Sequence, residues 1–332
     1  MRVAAALFAL PLLLSLGAAA SADDGRPART VERATELPPR RATSDRELVM
    51  LVGGLGSSAN DATWDALLAR YAGDPRYEVR RFGADPRFRY DTLGALEPNA
   101  ARLRDEVRAL GSRYSAVHLV THSMGGAVAD RAFAQGLSAA DGVRTYVALA
   151  APHNGATAAR IAQGAVAQAQ DEAVEMRAVA GLAMHDPAAP AIRDLAIRRG
   201  ASPMRDVTRL DLRLATDLLV PGRDARVAGV PSRVLLPSSR DTFEGHGGVL
   251  REPAVLDAVT ATIATGTVAP DRRGVLLREA TGLVSNTADE LALLLLLAAS
   301  LAAIVAAVAL RNARGVRLLT RPLAERVLRQ AP

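Results

Sequence analysis

Val120-Thr121-His122-Ser123-Met124-Gly125-Gly126 is the stretch on which the reading of this chain turns. An apolar run, Ala116 to Val120, enters it and reads as a buried strand. A run of small residues, Met124 to Gln135, leaves it and reads as a helix. A serine between the two sits on a sharp turn, with its hydroxyl exposed at the end of a sheet. Such a turn strains the backbone and requires small flanking residues, which Gly125 and Gly126 supply. Thr121 occupies the first place of the usual G-x-S-x-G pattern; it is β-branched but compact. The strand–turn–helix context makes Ser123 the candidate nucleophile.

Outward from this turn, strands and helices alternate. Leu48 to Val52, Tyr77 to Phe82, Thr145 to Ala150, Val207 to Leu214 and Arg233 to Leu236 read as strands. Thr63 to Tyr71, Glu97 to Leu110 and Ala254 to Ile263 read as helices. Alternation of this kind predicts an α/β domain over residues 46–266, with a mostly parallel central sheet flanked by helices. Residues 154–205 break the pattern. They are Ala-rich, with helical stretches at Thr157 to Met176 and Pro190 to Arg198 and no good strand. An insertion there lies over the strand carboxyl ends, so it is expected to be a helical lid.

A serine hydroxyl is a weak nucleophile until a base takes its proton. Five histidines are available. His118 lies within a strand, where core packing is expected. His122 adjoins Ser123, but the turn is expected to point it elsewhere. His153, where the insertion begins, is expected to be a structural loop residue, and His185 lies inside the insertion. His246, in Gly245-His246-Gly247-Gly248, follows the last strand and precedes the last helix, so it is the candidate base. Asp217 follows the strand after the insertion and is the candidate carboxylate that orients it. Asp224 and Asp241 are rivals, and Asp211 is a weaker one. Val52-Gly53-Gly54-Leu55-Gly56-Ser57-Ser58 follows the first strand; the amides of Leu55 and Met124 are the expected oxyanion donors. The glycines do not match G-x-G-x-x-G, and with no lysine in the chain a P-loop is excluded. No cofactor and no metal are expected.

Four blocks together resemble the α/β-hydrolase lipases and esterases, above all compact bacterial secreted lipases. They are L-V-G-G-L-G-S-S, T-H-S-M-G-G, A-A-P-H-N-G (Ala150 to Gly155), and A-T-D-L-L-V-P with G-H-G-G-V-L. The resemblance implies the α/β-hydrolase fold and Ser123, His246 and Asp217 as a catalytic triad cleaving carboxylic esters; an apolar lid on a domain tethered near a bilayer favours lipid acyl esters. Relatives often carry His-Gly where this chain has Gly53-Gly54. An acyltransferase using the same three residues is an alternative, as is a silent binding or scaffold protein of the same fold.

Of the 332 residues, 49% are hydrophobic and 23% charged, as in a globular protein. All 41 basic residues are arginine, interleaved with 35 acids, and aromatics make up 3%. Nucleic acid is therefore not an expected partner. The absence of cysteine excludes disulfides and a thiol nucleophile. Residues 1–22 read as a signal peptide, with Arg2, an apolar run and Ala20-Ser21-Ala22. Residues 23–45 and 267–290 read as linkers. Residues 291–310 form an apolar run whose only polar member is Ser300, long enough for a transmembrane helix. Residues 311–332 carry six arginines against Glu325. Positive charge retained inside predicts a cytoplasmic tail and an extracytoplasmic domain on a single-pass membrane protein.

Overall fold

The strand that enters the Ser123 turn, β3 (Ala116–His122), is buried along its whole length. A computed structural model describes residues 42–291 except 59–61, 161–162, 164–188, 202–203, 239–244, together with 293, 294, 298 and 301. β3 lies inside a six-stranded sheet with β1 (Glu47–Val52), β2 (Tyr77–Arg81), β4 (Val143–Leu149), β5 (Thr208–Leu214) and β6 (Ser232–Leu235), in the order β2-β1-β3-β4-β5-β6. Every pairing is parallel. A parallel sheet covered on both faces needs apolar side chains on both, which is why β1 and β3 read as unbroken apolar runs rather than alternating ones.

The covering helices divide by strand parity. Leu48, Met50, Val117 and Leu119 point to one face and pack with Leu103 and Val107 of α2 (Leu96–Gly111), Val128 of α3 (Met124–Ala134) and Ile192 of α4 (Pro190–Ala196). Val49, Leu51, Val120 and Leu212 point to the other, against Leu67 of α1 (Asp65–Tyr71) and Val259 of α6 (Pro253–Thr265); the one-turn helix α5 (Gly222–Ala225) lies between β5 and β6 in the chain. The architecture fits an α/β-hydrolase fold. The chain runs from β1 outward to β2, returns to β3 and proceeds the other way. The reversal between β1 and β3 leaves a crevice at their carboxyl ends, where ligands bind in open parallel sheets. The glycine loop after β1 and the turn at Ser123 both lie there.

Part of the insertion is built into the core. Leu195 and Ile192 of α4 are buried, the Ala156 N–H donates to the Leu195 carbonyl at 2.7 Å, and the Leu96 N–H donates to Asp194 Oδ2 at 2.8 Å. Within the insertion 154–205 expected to form the lid, residues 164–188, including His185, lie outside the described residues, as do residues 1–22 read as a signal peptide, most of 23–45, Asp241 and residues 311–332.

The stretch read as a linker before the apolar run differs from that reading. Residues 275–291 form a helix, α7. Its Thr281, Ser285 and Ala288 are buried, small residues at spacings of four and three that let the helix approach closely. Arg213 Nη2 donates to Ser285 Oγ, and the Gly222 N–H donates to Asp289 Oδ2 at 2.8 Å. On the opposite face Leu276 is 82% exposed and Leu283 69%. Among the described residues no helix is long and apolar enough to cross a membrane, and most of 291–310 lies outside them.

α2 also buries a carboxylate. Glu106 Oε2 accepts from the Gly83 N–H at 3.4 Å. Burial, and secondarily Asp85, push its pKa up to about 7, against weaker opposing pulls from that hydrogen bond, Arg80 and Arg87. A carboxyl whose folded pKa is raised stabilises the fold fully below its unfolded value near 4.5 and loses that contribution as pH climbs through 7. Denaturant unfolding of the wild type is therefore expected to show a stability fall between pH 5 and 8, and Glu106→Gln to remove a part of it on the order of 2 kcal/mol. Identical pH slopes for the two proteins would refute the assignment.

Candidate active site

The backbone at Ser123 has φ 53° and ψ −130°, a conformation that residues with a side chain rarely adopt. It is held from both sides. The Ser123 N–H donates to the Leu149 carbonyl at 2.9 Å, and the Gly126 N–H donates to the Ser123 carbonyl at 2.9 Å. Gly125 allows the close approach of α3 to β1: a Cβ there would stand 2.3 Å from the Val52 carbonyl oxygen. At Gly126 a Cβ would meet that of Ala151 at 2.3 Å.

Three side chains from distant parts of the chain meet at this turn. His246 Nε2 lies 2.9 Å from Ser123 Oγ, and His246 Nδ1 lies 3.1 Å from Asp217 Oδ2. Asp217 is fully buried, and its other oxygen accepts from the backbone N–H groups of Leu219 (3.0 Å) and Val220 (2.9 Å). The carboxylate thus takes three donors, which compensates for its burial. Gly245 brings the histidine loop onto the aspartate loop; at φ +62° it has no room for a Cβ, which would stand 2.3 Å from the Thr216 carbonyl oxygen.

The glycine loop packs directly on the serine. A Cβ on Gly54 would stand 2.9 Å from the Ser123 Cβ. The Gly54 carbonyl accepts from both Ser57 N–H (3.2 Å) and Ser57 Oγ (2.8 Å). Across the trans peptide the Leu55 N–H therefore faces away from that turn. Tyr90 OH donates to the Gly53 carbonyl at 2.9 Å and fixes the preceding peptide. Met124 opens α3, so its N–H is among those without an intrahelical acceptor.

The remaining candidates have other partners. Asp224 accepts from Thr157 N–H and Oγ1 (2.6 and 2.9 Å) and from Arg160, and so ties down the root of the insertion. Asp211 accepts from Arg209 at 3.0 Å. His118, as expected, is a core residue, bonded to Thr145 Oγ1 and Glu47 Oε2 at 2.8 Å each, and burial lowers its pKa. His153 is not a simple loop residue. It belongs to a buried cluster, 2.6 Å from Asp130 Oδ2 and 3.1 Å from Arg209, while Tyr146 donates to the Gly126 carbonyl at 3.1 Å.

His122 corrects its expectation. It does not point away: its Nε2–H donates to the His246 carbonyl at 3.0 Å, and the two rings lie 4.9 Å apart. It is therefore a brace for the loop that carries His246. The strand period offered a partial signal, because residues 118, 120 and 122 share a face of β3. The contact with a loop more than a hundred residues later has no local signature.

A family model described as a PGAP1-like alpha/beta domain matches residues 100–180, from within α2 through Ser123 into the insertion. No curated protein matches the chain. Solved structures similar to it include an esterase from Thermogutta terrifontis, at 18% identity over 68% of this chain and 92% of that one, with a TM-score of 0.44. A mature lipase of Bacillus licheniformis is 15% identical over 70% and 94% of the two chains, with a TM-score of 0.46. A hydrolase from Oleispira antarctica is 15% identical over 69% and 95%, with a TM-score of 0.44.

Proposed function

We propose that this protein is a serine hydrolase of carboxylic esters working through an acyl-enzyme. The observation that carries the reading is a single imidazole, His246, within hydrogen-bonding reach of the Ser123 hydroxyl on one nitrogen and of the buried Asp217 carboxylate on the other. Asp217 holds the proton on Nδ1, so Nε2 presents its lone pair to Ser123 Oγ. As Oγ attacks the ester carbonyl, Nε2 takes its proton, and the negative charge that develops on the carbonyl oxygen is met by the amides of Leu55 and Met124. His246 then gives the proton to the departing alkoxide. In the second half water loses a proton to His246, attacks the acyl carbonyl, and the acid leaves as Ser123 Oγ is reprotonated.

The favoured substrate is a lipid acyl ester, and the favoured setting a membrane surface with the catalytic domain on its extracytoplasmic side. Support comes from α7, whose exposed Leu276 and Leu283 share one stripe with Leu294 and Leu301 further along, leading into the apolar run 291–310 and the arginine-rich end of the chain. Hydrolysis of p-nitrophenyl esters from acetate to palmitate by the full-length protein in detergent tests the reading. Turnover that rises with chain length into the micellar range is expected. A folded protein inert across the whole series would sink it.

A further inference from the structure

The loop between β5 and α5 carries Asp217, and α7 reaches it from outside the α/β core. At the start of the loop the Asp217 carboxylate accepts from the N–H groups of Leu219 and Val220. At its end the Gly222 N–H donates to Asp289 Oδ2 of α7 at 2.8 Å. Pro221 stands between Val220 and Gly222, and its ring fixes its φ, here −63°. A shift of Gly222 is therefore passed through one stiff residue to the Val220 N–H, and from there to Asp217.

Asp289 is in turn held by β5. Arg213 Nη1 and Asp289 Oδ1 lie 3.6 Å apart, with side chains 8% and 20% exposed. Both atoms are buried, and neither has a hydrogen-bond partner among the described residues. Arg213 Nη2 donates to Ser285 Oγ, one turn earlier on α7. A Cβ on Gly222 would stand 2.6 Å from Arg213 Nη2 and 2.8 Å from Asp289 Oδ2, so the loop rests directly on the pair. Burial lowers the pKa of Arg213 and raises that of Asp289; the largest opposing pull on each comes from the other, and the Asp217 charge acts on both. Arg226 beside Arg213 and Arg223 beside Asp289 are the further charges that bear on the pair. Loss of either member would strand the other charge in the interior.

We propose that Asp289 is a positioning residue for the triad, supported by Arg213 and Ser285, and that α7 thereby keeps the Asp217 carboxylate within hydrogen-bonding reach of His246 Nδ1. The inference rests on the serine hydrolase reading for the task of Asp217. It goes beyond that reading by giving a helix outside the core a part in the chemistry. The route runs from Asp289 through Gly222, Pro221 and Val220 to Asp217, with a hydrogen bond at each end and covalent bonds between. A small displacement of the carboxylate leaves the serine and the substrate's contacts in place, so the loss falls on kcat and not on KM.

The test uses the full-length protein with p-nitrophenyl butyrate, the active serines being counted with a fluorophosphonate probe. Asp289→Ala is expected to lower kcat per active serine about tenfold, with KM within about twofold of wild type. Asp289→Asn keeps an oxygen for the Gly222 N–H and is expected to recover kcat to within about threefold. Ser285→Ala, a milder change that takes one acceptor from Arg213, is expected to lower kcat about threefold and carries the test where Asp289→Ala is too unstable to assay. The proton on His246 Nδ1 reads the bond to Asp217 without turnover. Its downfield resonance, assigned by its absence in His246→Ala, is expected to move upfield in Asp289→Ala and in Ser285→Ala and to hold its place in Asp289→Asn. A helix that only stabilises the fold would lower the thermal midpoint and leave both kcat per active serine and this resonance at wild-type values; that result overturns the positioning role. Equal losses in Asp289→Ala and Asp289→Asn would overturn the Gly222 bond as the link. A wild type inert toward the ester would count against the hydrolase instead, and the proton resonance would still decide the role of α7.

Discussion

Ser123→Ala is expected to abolish ester hydrolysis, by roughly 10⁴–10⁶-fold in kcat, and to abolish covalent labelling by a fluorophosphonate probe. The substitution removes the oxygen that His246 Nε2 faces at 2.9 Å and leaves the backbone hydrogen bonds that shape the turn untouched. The thermal midpoint of Ser123→Ala should therefore stay near that of the wild type. Ser123→Gly separates the chemistry from the strain. At φ 53° and ψ −130° a side chain costs about 1–3 kcal/mol, which glycine does not pay. Against this, glycine adds about 0.4–1 kcal/mol of freedom to the unfolded chain. The net expectation is a gain of about 1 kcal/mol, read as a rise of a few degrees in scanning fluorimetry, in a protein as inactive as Ser123→Ala. Residual activity within tenfold of wild type in the alanine variant would remove Ser123 from the mechanism. A glycine variant less stable than the alanine variant would show that the turn carries no strain.

How far the sequence foretold this arrangement depends on the range of the interactions that decide each part. β3 and α3 were legible because local residue size decides them: an apolar run, then Gly125 and Gly126 where any Cβ collides with β1 or Ala151. Asp217 and His246 were legible through their places after successive strands, although nothing local required them to meet. Asp224, a rival on sequence, is occupied by Thr157 and Arg160. β5 misleads a reader for a different reason. Thr208–Leu214 alternates Arg209, Asp211 and Arg213 with three leucines, the pattern of a strand with one wet face. All three charged residues are buried nonetheless, Arg209 and Asp211 with His153 and Asp130, and Arg213 under α7. Their partners outside β5 lie 56 (His153), 72 (Ser285) and 79 (Asp130) residues away, so period alone could not reveal them. α7 itself carried a signal that was available: Thr281, Ser285 and Ala288 recur at helical spacing opposite Leu276 and Leu283. The small residues turn out to face the domain, and the leucines face out.

The second large effect expected concerns the proton inventory of the site rather than its shape. In Asp217→Asn the new amide has one orientation open to it. The oxygen at Oδ1 must remain an acceptor, because the N–H groups of Leu219 and Val220 both point at it from 3.0 and 2.9 Å. The amide nitrogen is then left where Oδ2 stood, 3.1 Å from His246 Nδ1, with hydrogens directed at that nitrogen. His246 can accept there only as the tautomer with its proton on Nε2, and Nε2 then presents a hydrogen, not a lone pair, to Ser123 Oγ. The base is disabled although every heavy atom stays in place. Loss of the negative charge also withdraws support from the imidazolium that forms at the transition state, in a site where a buried carboxylate acts at low dielectric. A fall in kcat of about 10⁴-fold is expected, with KM nearly unchanged and a thermal midpoint close to wild type, since the two backbone hydrogen bonds persist. Asp217→Ala should lose comparable activity but also lose stability, because the amides of Leu219 and Val220 forfeit their acceptor. The pairing of outcomes is diagnostic. An asparagine variant that keeps wild-type turnover would mean that His246 is oriented by another group, and the His122 donor on its carbonyl would be the first to examine, by His122→Phe in the same background.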